Sequence, residues 1–519
     1  MTPVVVVGAG PVGMTAALLL ARAGVPTVVL EAADARTAVG SRSICLQHDV
    51  LHILERVGAG RAVVEAGVTW YRGRTFFRGR EVLTVDLPRR PGFPPFVNTP
   101  QTEVERILEA GVRAEPLIDL RYGQRVVGLS QDGGGVTLST VDSTVVGTHC
   151  IAADGVKSTV RDLLGISFEG HSFQDLFVIA DIRVDLGHAE PERLFHFDPP
   201  WNPGRQVLLH PQPGGVYRID WQVPEGFRLT DEHIRRITGD RPYEVLWQST
   251  YRFHQRRADR FRVGRVFLAG DAAHVMSPFG ARGLNSGICD ADNATWKIAL
   301  DRAGEAGPAL LPSYEIERGA AADENLRVTG ATMRFLVPST EEERRYRLEV
   351  LERGDKARID SGRLFEPFPY RDSPLTSPGC TGELAPAGST HGPGFTLIGE
   401  TLIRPDGHYA AQPLPPQPAP SSAHATTSTP PAPASPPATS AYTPASTSAA
   451  ASASTEASAS TEAATSTEAS ASAAAATSAP ACAHVAASTS ASAHVAASAS
   501  ASARLAAALQ RAKGFTSLN

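Results

Sequence analysis

Residues 4–31 read VVVVGAGPVGMTAALLLARAGVPTVVLE and carry the strongest structural signal in the sequence. An apolar run is followed by a glycine turn, an amphipathic stretch, a glycine stop and a second apolar run. This order predicts a strand, a helix and a second strand parallel to the first. The turn reads Gly8-x-Gly10-x-x-Gly13, and an acid, Glu31, follows the second apolar run.

The glycine turn predicts a site for the phosphates of a dinucleotide. Gly8 permits the tight turn, Gly10 lets the backbone approach a pyrophosphate, and Gly13 allows close helix packing. Glu31 is placed to accept hydrogen bonds from an adenosine ribose, and its charge would repel a 2′-phosphate. A glycine-rich turn in an unrelated fold is the alternative, and the motif alone does not separate FAD from NAD.

Residues 150–161 repeat the strand, turn and helix pattern around Asp154 and Gly155. Arg161 follows one to two turns later and supplies a cation where a pyrophosphate or a nicotinamide nucleotide could lie. The alternative is a simple reversal of the chain, which an Asp-Gly pair commonly provides.

Residues 265–287 form the third and most specific segment. Gly270 lets the chain pass close to a ligand, and Asp271 can accept a hydrogen bond from a ribityl hydroxyl. The loop from Pro278 brings backbone N–H groups and a helix N-terminus to one place. Such a place stabilises negative charge on N1 and the C2 carbonyl of a reduced flavin. This segment therefore favours FAD over NAD.

The remaining pattern predicts an α/β fold with an inserted antiparallel sheet. Apolar residues alternate between residues 168 and 262, and Val207–Leu209 faces Val216–Ile219 across a Pro-Gly-Gly turn. Helices are expected at 49–57 and 104–110, each ended by a glycine, and at about 288–300. The expected domains are a discontinuous Rossmann-like FAD-binding domain at 1–167 and 263–370 and a substrate domain at 168–262 that includes a hairpin at 70–98.

These motifs, in this order, resemble the class A flavoprotein monooxygenases over residues 1 to about 370. That family comprises aromatic hydroxylases related to p-hydroxybenzoate hydroxylase, and the resemblance is closer to the 3-(3-hydroxyphenyl)propionate hydroxylases. It implies that NADH or NADPH reduces FAD, that O2 adds at flavin C4a, and that the hydroperoxide hydroxylates an aromatic, phenolic ring. The implied cofactor-binding residues are Gly8, Gly10, Gly13, Glu31, Arg42, Gln101, Asp154, Gly155, Arg161, Gly270, Asp271, Pro278, Gly283, Leu284 and Asn285.

Four residues are candidates for a catalytic role. His210, Tyr217 and Tyr251 lie in the predicted sheet and could orient or deprotonate a phenol, or could simply pack. Arg282 stands in Gly-Ala-Arg-Gly where many relatives carry Gly-Gly-Gln-Gly. Two interpretations of it stay open, a binding site for an acidic substrate and a structural salt bridge.

The charge and composition of the chain limit the classes of molecule that we expect it to bind. The net charge is -5 and no run of Lys and Arg occurs, so we expect neither nucleic acid nor an anionic membrane as a partner. No stretch has about 18 uninterrupted apolar residues, so no membrane span is expected. The five cysteines are scattered without a C-x-x-C pair, which predicts no metal site, a reducing compartment and a cytoplasmic protein.

The last third differs in composition. Residues 371–412 resemble remnants of a thioredoxin-like domain, residues 413–502 are a low-complexity segment expected to be disordered, and residues 503–519 predict a short terminal helix.

Because no second glycine fingerprint occurs, NAD(P)H is expected to bind transiently. The rival hypotheses are an epoxidising or ring-modifying flavin monooxygenase and a non-catalytic flavoprotein that acts as an interaction module.

Overall fold

A computed structural model describes residues 1–36, 43–89, 92–386, 389 and 394–412. The helices in these residues are α1 (Pro11–Arg22), α2 (His48–Arg56), α3 (Gly60–Glu65), α4 (Gln101–Ala114), α5 (Thr159–Leu163), α6 (Asp231–Thr238), α7 (Arg282–Arg302), α8 (Pro312–Leu336) and α9 (Glu341–Arg353). None of them combines the length and the apolar character that crossing a membrane requires.

The strands fall into two large sheets and three small ones. In chain order they are β1 (Val4–Val7), β2 (Thr27–Leu30), β3 (Cys45–Gln47), β4 (Arg72–Phe77), β5 (Arg80–Asp86), β6 (Phe96–Asn98), β7 (Ile118–Arg121), β8 (Val126–Gln131), β9 (Val136–Thr140), β10 (Thr144–Gly147), β11 (Cys150–Ala152), β12 (Phe168–Val184), β13 (Glu192–Phe197), β14 (Gln206–Gln212), β15 (Val216–Val223), β16 (Tyr243–Ala258), β17 (Arg262–Val263), β18 (Val266–Leu268), β19 (His274–Val275), β20 (Thr396–Ile398), β21 (Thr401–Ile403) and β22 (Tyr409–Ala411).

The first large sheet contains the βαβ unit that residues 4–31 predict. Its order is β17-β18-β11-β1-β2-β7, and all neighbours except β17 and β18 are parallel. Every residue of β1 and β2 is buried, as expected for strands covered on both faces. The fold class predicted from the sequence is confirmed.

The second large sheet has the order β19-β16-β12-β15-β14-β13-β4-β5. Its strands pair antiparallel except β13 with β4. The predicted hairpin is present, because Leu209 pairs with Ile219 across the turn at Pro213–Gly215. The β4–β5 hairpin, residues 72–86, joins the β13 edge of this sheet, whereas β6 pairs with β3 in a separate small sheet.

Two predicted helix bounds are corrected. Helix α4 was expected to end before Gly111 but continues to Ala114. A Cβ on Gly111 would lie 3.6 Å from the Leu18 methyl carbons, so this glycine serves close packing of α4 on α1. Helix α7 begins at Arg282, six residues before the expected start, because its first turn carries little of the apolar periodicity.

The last described segment forms a three-stranded sheet of β20, β21 and β22. An isolated bridge joins Leu384 to His408 and ties the segment before this sheet to the turn within it. The low-complexity segment and the predicted terminal helix lie outside the described residues.

Candidate functional site

The three glycine-containing turns meet at one edge of the parallel sheet. Strands β1, β11 and β18 are adjacent, with Val7 beside Ala152 and Ala152 beside Leu268. Because the strands are parallel, the turns that follow them start at the same edge. That edge is where open α/β sheets bind nucleotides. The segments that the sequence separates by more than a hundred residues therefore face one ligand site.

The first turn leaves room for a phosphate. Gly8 has φ of 101°, and a Cβ there would lie 2.4 Å from Ala153 O. A Cβ on Gly13 would lie 2.0 Å from Gly8 O, whereas nothing lies within 4 Å of a Cβ on Gly10. Helix α1 begins beside this open space without a side-chain cap. Its first N–H groups are therefore available to a pyrophosphate, and the turn fits such a group.

Glu31 is fixed by backbone donors at the end of β2. Its two carboxylate oxygens accept hydrogen bonds from Ala9 N at 2.8 Å and from Ala33 N at 2.9 Å. This orients the Glu31 carboxylate at the first turn, where the predicted ribose contact requires it.

Gln101, at the start of α4, donates to Glu105 and accepts from Ser43 N. Arg42 lies outside the described residues.

The charged groups of the second turn hold the turn itself. Asp154 accepts hydrogen bonds from Ser158 Oγ at 2.5 Å and Val160 N at 3.1 Å, and burial raises its pKa. Arg161 is 5% exposed and donates to Val156 O and Ala272 O, each at 3.1 Å. The structure thus places the Arg161 guanidinium inside the protein, where it joins the second turn to the third.

The third turn is held by a buried network that sequence reasoning missed. Asp290 accepts from Gly270 N at 2.9 Å, from His274 Nε2 at 2.7 Å and from Arg318 Nε at 2.6 Å. Burial acts to raise the pKa of Asp290, but Arg318 and His274 outweigh it and the pKa is lowered. The sequence offered one signal for this network, because the acid Asp290 lies beside the apolar face expected for helix α7. Asp271 follows Gly270 with its side chain exposed.

The loop before α7 is clamped by one amide. Asn285 accepts from Gln47 N at 3.0 Å and donates to Cys45 O at 2.9 Å and Ala281 O at 2.6 Å. Ala281 precedes α7 in the left-handed conformation, with φ of 55°, and α7 has no side-chain cap. The N–H groups of the first turn, including those of Gly283 and Leu284, lack helical acceptors and can face negative charge. Pro278 is exposed at the start of this loop.

Arg282 connects three segments through neutral acceptors. It is 3% exposed and donates to Asn325 Oδ1 at 2.6 Å, Leu364 O at 2.7 Å and Arg363 O at 3.3 Å. Burial and then the Arg363 charge lower its pKa to about 10. Within the described residues Arg282 forms no salt bridge, so the structure supports a cross-linking position rather than an ion pair.

The catalytic candidates of the antiparallel sheet divide between its two faces. His210 pairs with Arg218 and Tyr251 with Phe177, and paired residues point to one face. That face packs through Phe177 on Phe279 of the loop before α7, with ring centroids 5.6 Å apart. Tyr217 points to the opposite face and joins the apolar cluster with Trp221. The structure therefore does not bring Tyr217 together with His210.

Besides Arg218, the charged residues Arg193 and Asp220 share the face of His210, and we call Arg193, His210 and Asp220 the polar cluster. The β13–β14 register places Arg193 opposite His210, and Asp220 follows the partner of His210 by two residues on β15. Sequence reasoning missed both charged residues. The available signal for Asp220 was that it interrupts an apolar run, as in Ile-Asp-Trp, whereas Arg193 only precedes the run Leu-Phe-His-Phe.

A separate cavity of about 400 Å³ lies between α1, α2, α7 and the C-terminal segment. Its walls include Ile53, Trp296, Tyr370 and His408. None of the predicted cofactor or catalytic residues lines it, so the site at the sheet edge is distinct from this cavity.

Comparison with known proteins identifies the family of this chain. Residues 1–329 match the family described as FAD binding domain. The chain belongs to this FAD-binding family. FAD is the cofactor of this flavoprotein, and the open turn at Gly10 and the uncapped α1 fit its pyrophosphate.

Several relatives of the flavoprotein are enzymes. It is 32% identical over 355 residues to the 3-(3-hydroxy-phenyl)propionate/3-hydroxycinnamic acid hydroxylase of Mycobacterium sp. strain JLS, a match that covers 65% of this chain and 61% of that enzyme. It is 31% identical over 353 residues to pentachlorophenol 4-monooxygenase of Sphingobium chlorophenolicum, covering 63% and 64%. The crystal structure of p-nitrophenol 4-monooxygenase from Pseudomonas putida DLL-E4 aligns with a TM-score of 0.59 at 25% identity, covering 69% of this chain and 96% of that one. The flavoprotein spans about three fifths of the length of the curated relatives that it matches first.

Proposed function

We propose that the flavoprotein is an aromatic monooxygenase that uses NAD(P)H and O2 to hydroxylate a phenol. The observation that carries this proposal is a polar cluster on the sheet face that packs against the loop before α7. The names of the relatives support it, because three of them act on phenols.

The chain contributes positions and charges to this reaction. Bound FAD would accept a hydride from NAD(P)H and activate O2. The turns at Gly8, Asp154 and Gly270 would hold the dinucleotide, and the N-terminus of α7 would stabilise negative charge on the flavin ring. The antiparallel sheet would orient the aromatic ring and exclude water from it.

The individual residue assignments belong to this proposal. Glu31 would bind the ribose, Asp271 the ribityl chain, and the backbone of Leu284 and Asn285 the flavin ring, with Arg42 and Gln101 at its edge. We place the flavin domain at 1–167 and 263–370 and the substrate domain at 168–262. The four described cysteines are free thiols, which supports a place in the reducing cytoplasm.

The test is a screen of phenols with purified, FAD-loaded protein. NAD(P)H oxidation should rise when a suitable phenol is added, and mass spectrometry should find the hydroxylated product. An epoxidised product would favour an epoxidising monooxygenase. Protein that binds FAD but responds to no member of a broad phenol panel would contradict the proposal and favour a non-catalytic module.

A further inference from the structure

The cavity between α1, α2, α7 and residues 367–408, which we call the C-terminal cavity, has the size of a small-molecule site. Its volume is about 400 Å³, within the range of roughly 300–1,000 Å³ that is usual for ligand pockets. Apolar surface dominates its walls, which include Leu19, Ile53 and Leu384. None of the described residues that we assign to the cofactor or to catalysis lines it. A ligand here would therefore lie outside the proposed active site.

Asn293 presents one unpaired acceptor in this cavity. The side chain is 1% exposed, and its Nδ2 donates to Glu317 Oε2 at 2.8 Å and to Asp406 Oδ2 at 3.2 Å. These two carboxylates determine which end of the amide is the oxygen. Asn293 Oδ1 is then buried without a hydrogen-bond partner in the described part of the chain. Because buried polar atoms are normally paired, this oxygen points to a ligand that donates a hydrogen bond.

His408 presents a second acceptor in the C-terminal cavity. It is 7% exposed, and neither ring nitrogen forms a hydrogen bond to the described residues. Nδ1 lies 3.5 Å from Asp406 Oδ1. A proton on Nδ1 faces this carboxylate, which leaves Nε2 as an acceptor in the neutral ring. Asn293 and His408 thus offer two acceptors to a ligand.

Water alone does not account for a cavity of this size. One water needs about 10–15 Å³ of such volume. A water on each acceptor would therefore take up only a small part of the 400 Å³, and apolar walls border the rest. An apolar ligand body would fill that space and gain contacts with the walls. The expected ligand combines an apolar body with an N–H or O–H group.

The charges around the C-terminal cavity are balanced within the protein. Four carboxylates and four cations in its walls and directly behind them pair with one another, namely Glu317 with Arg404 and Lys297, Asp406 with Arg404, Asp292 with Arg56, and Asp290 with Arg318. Of the other charged residues in the walls, Glu55 pairs with Arg61, and Arg22 and Asp49 are opposite in sign. The walls therefore favour an uncharged ligand.

Aromatic rings line one side of the cavity. Phe368 contacts Tyr370 and Tyr370 contacts His408, with ring centroids 6.3 and 4.2 Å apart. Trp296 also lines the cavity, and its Nε1 donates to Asp406 Oδ2 at 3.1 Å. Aromatic rings prefer offset or edge contacts with other rings. The walls therefore favour a flat aromatic body.

We infer that the C-terminal cavity binds an uncharged aromatic molecule that donates hydrogen bonds to Asn293 Oδ1 and His408 Nε2. The site is fixed before binding, because Arg404 donates to Glu317 at 2.7 and 2.8 Å and so holds the turn that carries His408 on α8. Such preorganisation reduces the entropy that binding costs. No step of the proposed hydroxylation uses this cavity, so the inference goes beyond the proposed function and does not depend on it.

The test uses 1-amino-4-bromonaphthalene, an uncharged two-ring amine with two N–H donors, and its N,N-dimethyl derivative, which has none. Calorimetric titration of the FAD-loaded protein should give about tenfold tighter binding of the amine. Asn293→Leu and His408→Phe should each reduce this preference about threefold or more, with FAD content as the check of folding. The control His171→Phe, at an exposed histidine on β12, should keep it.

Crystals soaked with the amine should locate its bromine by anomalous scattering between Ile53 and Tyr370. The inference is overturned by no binding, by bromine at another position, by equal binding of the two probes, or by an unchanged preference in both variants. Binding only after deletion of residues 413–519 would also overturn it, because the chain's own segment would then be the occupant. Failure to bind the amine leaves the proposed function standing, and absence of phenol turnover leaves this inference standing.

Discussion

At the residue scale, charged side chains of the site fall into two groups. Asp154, Arg161 and Arg282 bond to backbone and neutral groups of the loops and so fix their shape. Asp271 is exposed after the third turn, and Asp220 is half-buried on the antiparallel sheet. Substitutions of Asp271 and Asp220 therefore test function at this scale.

Asp271→Ala should abolish FAD retention while leaving the fold intact. The side chain is exposed, so its loss should change stability by about 0.5 kcal/mol or less. FAD content after gel filtration and the melting temperature measure the two effects. Asp142→Ala, at an exposed turn between β9 and β10, is the control and should retain FAD. A fully loaded, yellow Asp271→Ala protein would refute the ribityl assignment.

Asp220→Asn should stabilise the protein at neutral and higher pH. The folded-state pKa of Asp220 is raised to about 7, from an unfolded value of about 3.9. The folded form therefore keeps a proton that the unfolded form loses, and wild-type stability falls as pH rises between these values. Removing the charge should recover on the order of 2 kcal/mol, once solvent screening of this half-buried group is allowed for. Denaturant unfolding at about pH 5 and pH 8 measures this, and a less stable variant at pH 8 would argue for a structural role.

At the element scale, the N-terminal half of α7 carries the site. Gly287 packs against Gly270, with a Cβ there only 3.0 Å from Gly270 Cα, and Asp290 bonds to Gly270 N. Helix α8 supports this arrangement because Arg318 binds Asp290 and Ser286. The position of the third turn thus depends on a buried ion pair between two helices.

Arg318→Met should lower both stability and FAD affinity. Removing Arg318 leaves the buried Asp290 carboxylate without its cation. Such a loss costs about 3–5 kcal/mol of folding free energy. The pKa of Asp290 is lowered in the folded protein, so the pair stabilises above the unfolded pKa of about 3.9 and this is lost as pH falls. The variant's deficit should therefore shrink towards low pH in thermal unfolding. Arg327→Met, an exposed change on the same helix, is the control, and an equal effect there would contradict the assignment.

The elements of the site were more predictable than its side-chain partners. Glycine spacing and apolar runs predict the three turns, because they depend on local backbone demands. Asp290, Arg193 and Asp220 were missed because their importance arises from partners, or missing partners, on distant strands and helices. Tyr217 and His210 are both plausible from the sequence, and only the strand register separates them. The neutral partners of Arg282 likewise come from α8 and residues 363–364.

At the scale of the whole molecule, the chain combines a parallel sheet with a larger antiparallel sheet. The parallel sheet presents three turns at one edge, and the antiparallel sheet presents the polar cluster towards the loop before α7. The cofactor and a phenol would then meet where both sheets contribute side chains.

Deleting residues 413–519 should leave FAD content and turnover unchanged. The cofactor turns, the polar cluster and the ion pair of Asp290 all lie before residue 413. The deleted low-complexity segment has almost no large apolar residue with which to build a core. FAD content per chain and phenol-stimulated NAD(P)H oxidation would measure this, and loss of either would mean that the terminal segment supports the core.

We propose that FAD at the sheet edge supports hydroxylation of a phenol held by the antiparallel sheet. The most direct measurement is turnover of the FAD-loaded protein with NAD(P)H and a stimulating phenol under ¹⁸O₂, with mass analysis of the product. We expect a hydroxylated product that carries one labelled oxygen atom. NAD(P)H oxidation that yields only hydrogen peroxide, or a product whose new oxygen comes from water, would contradict it.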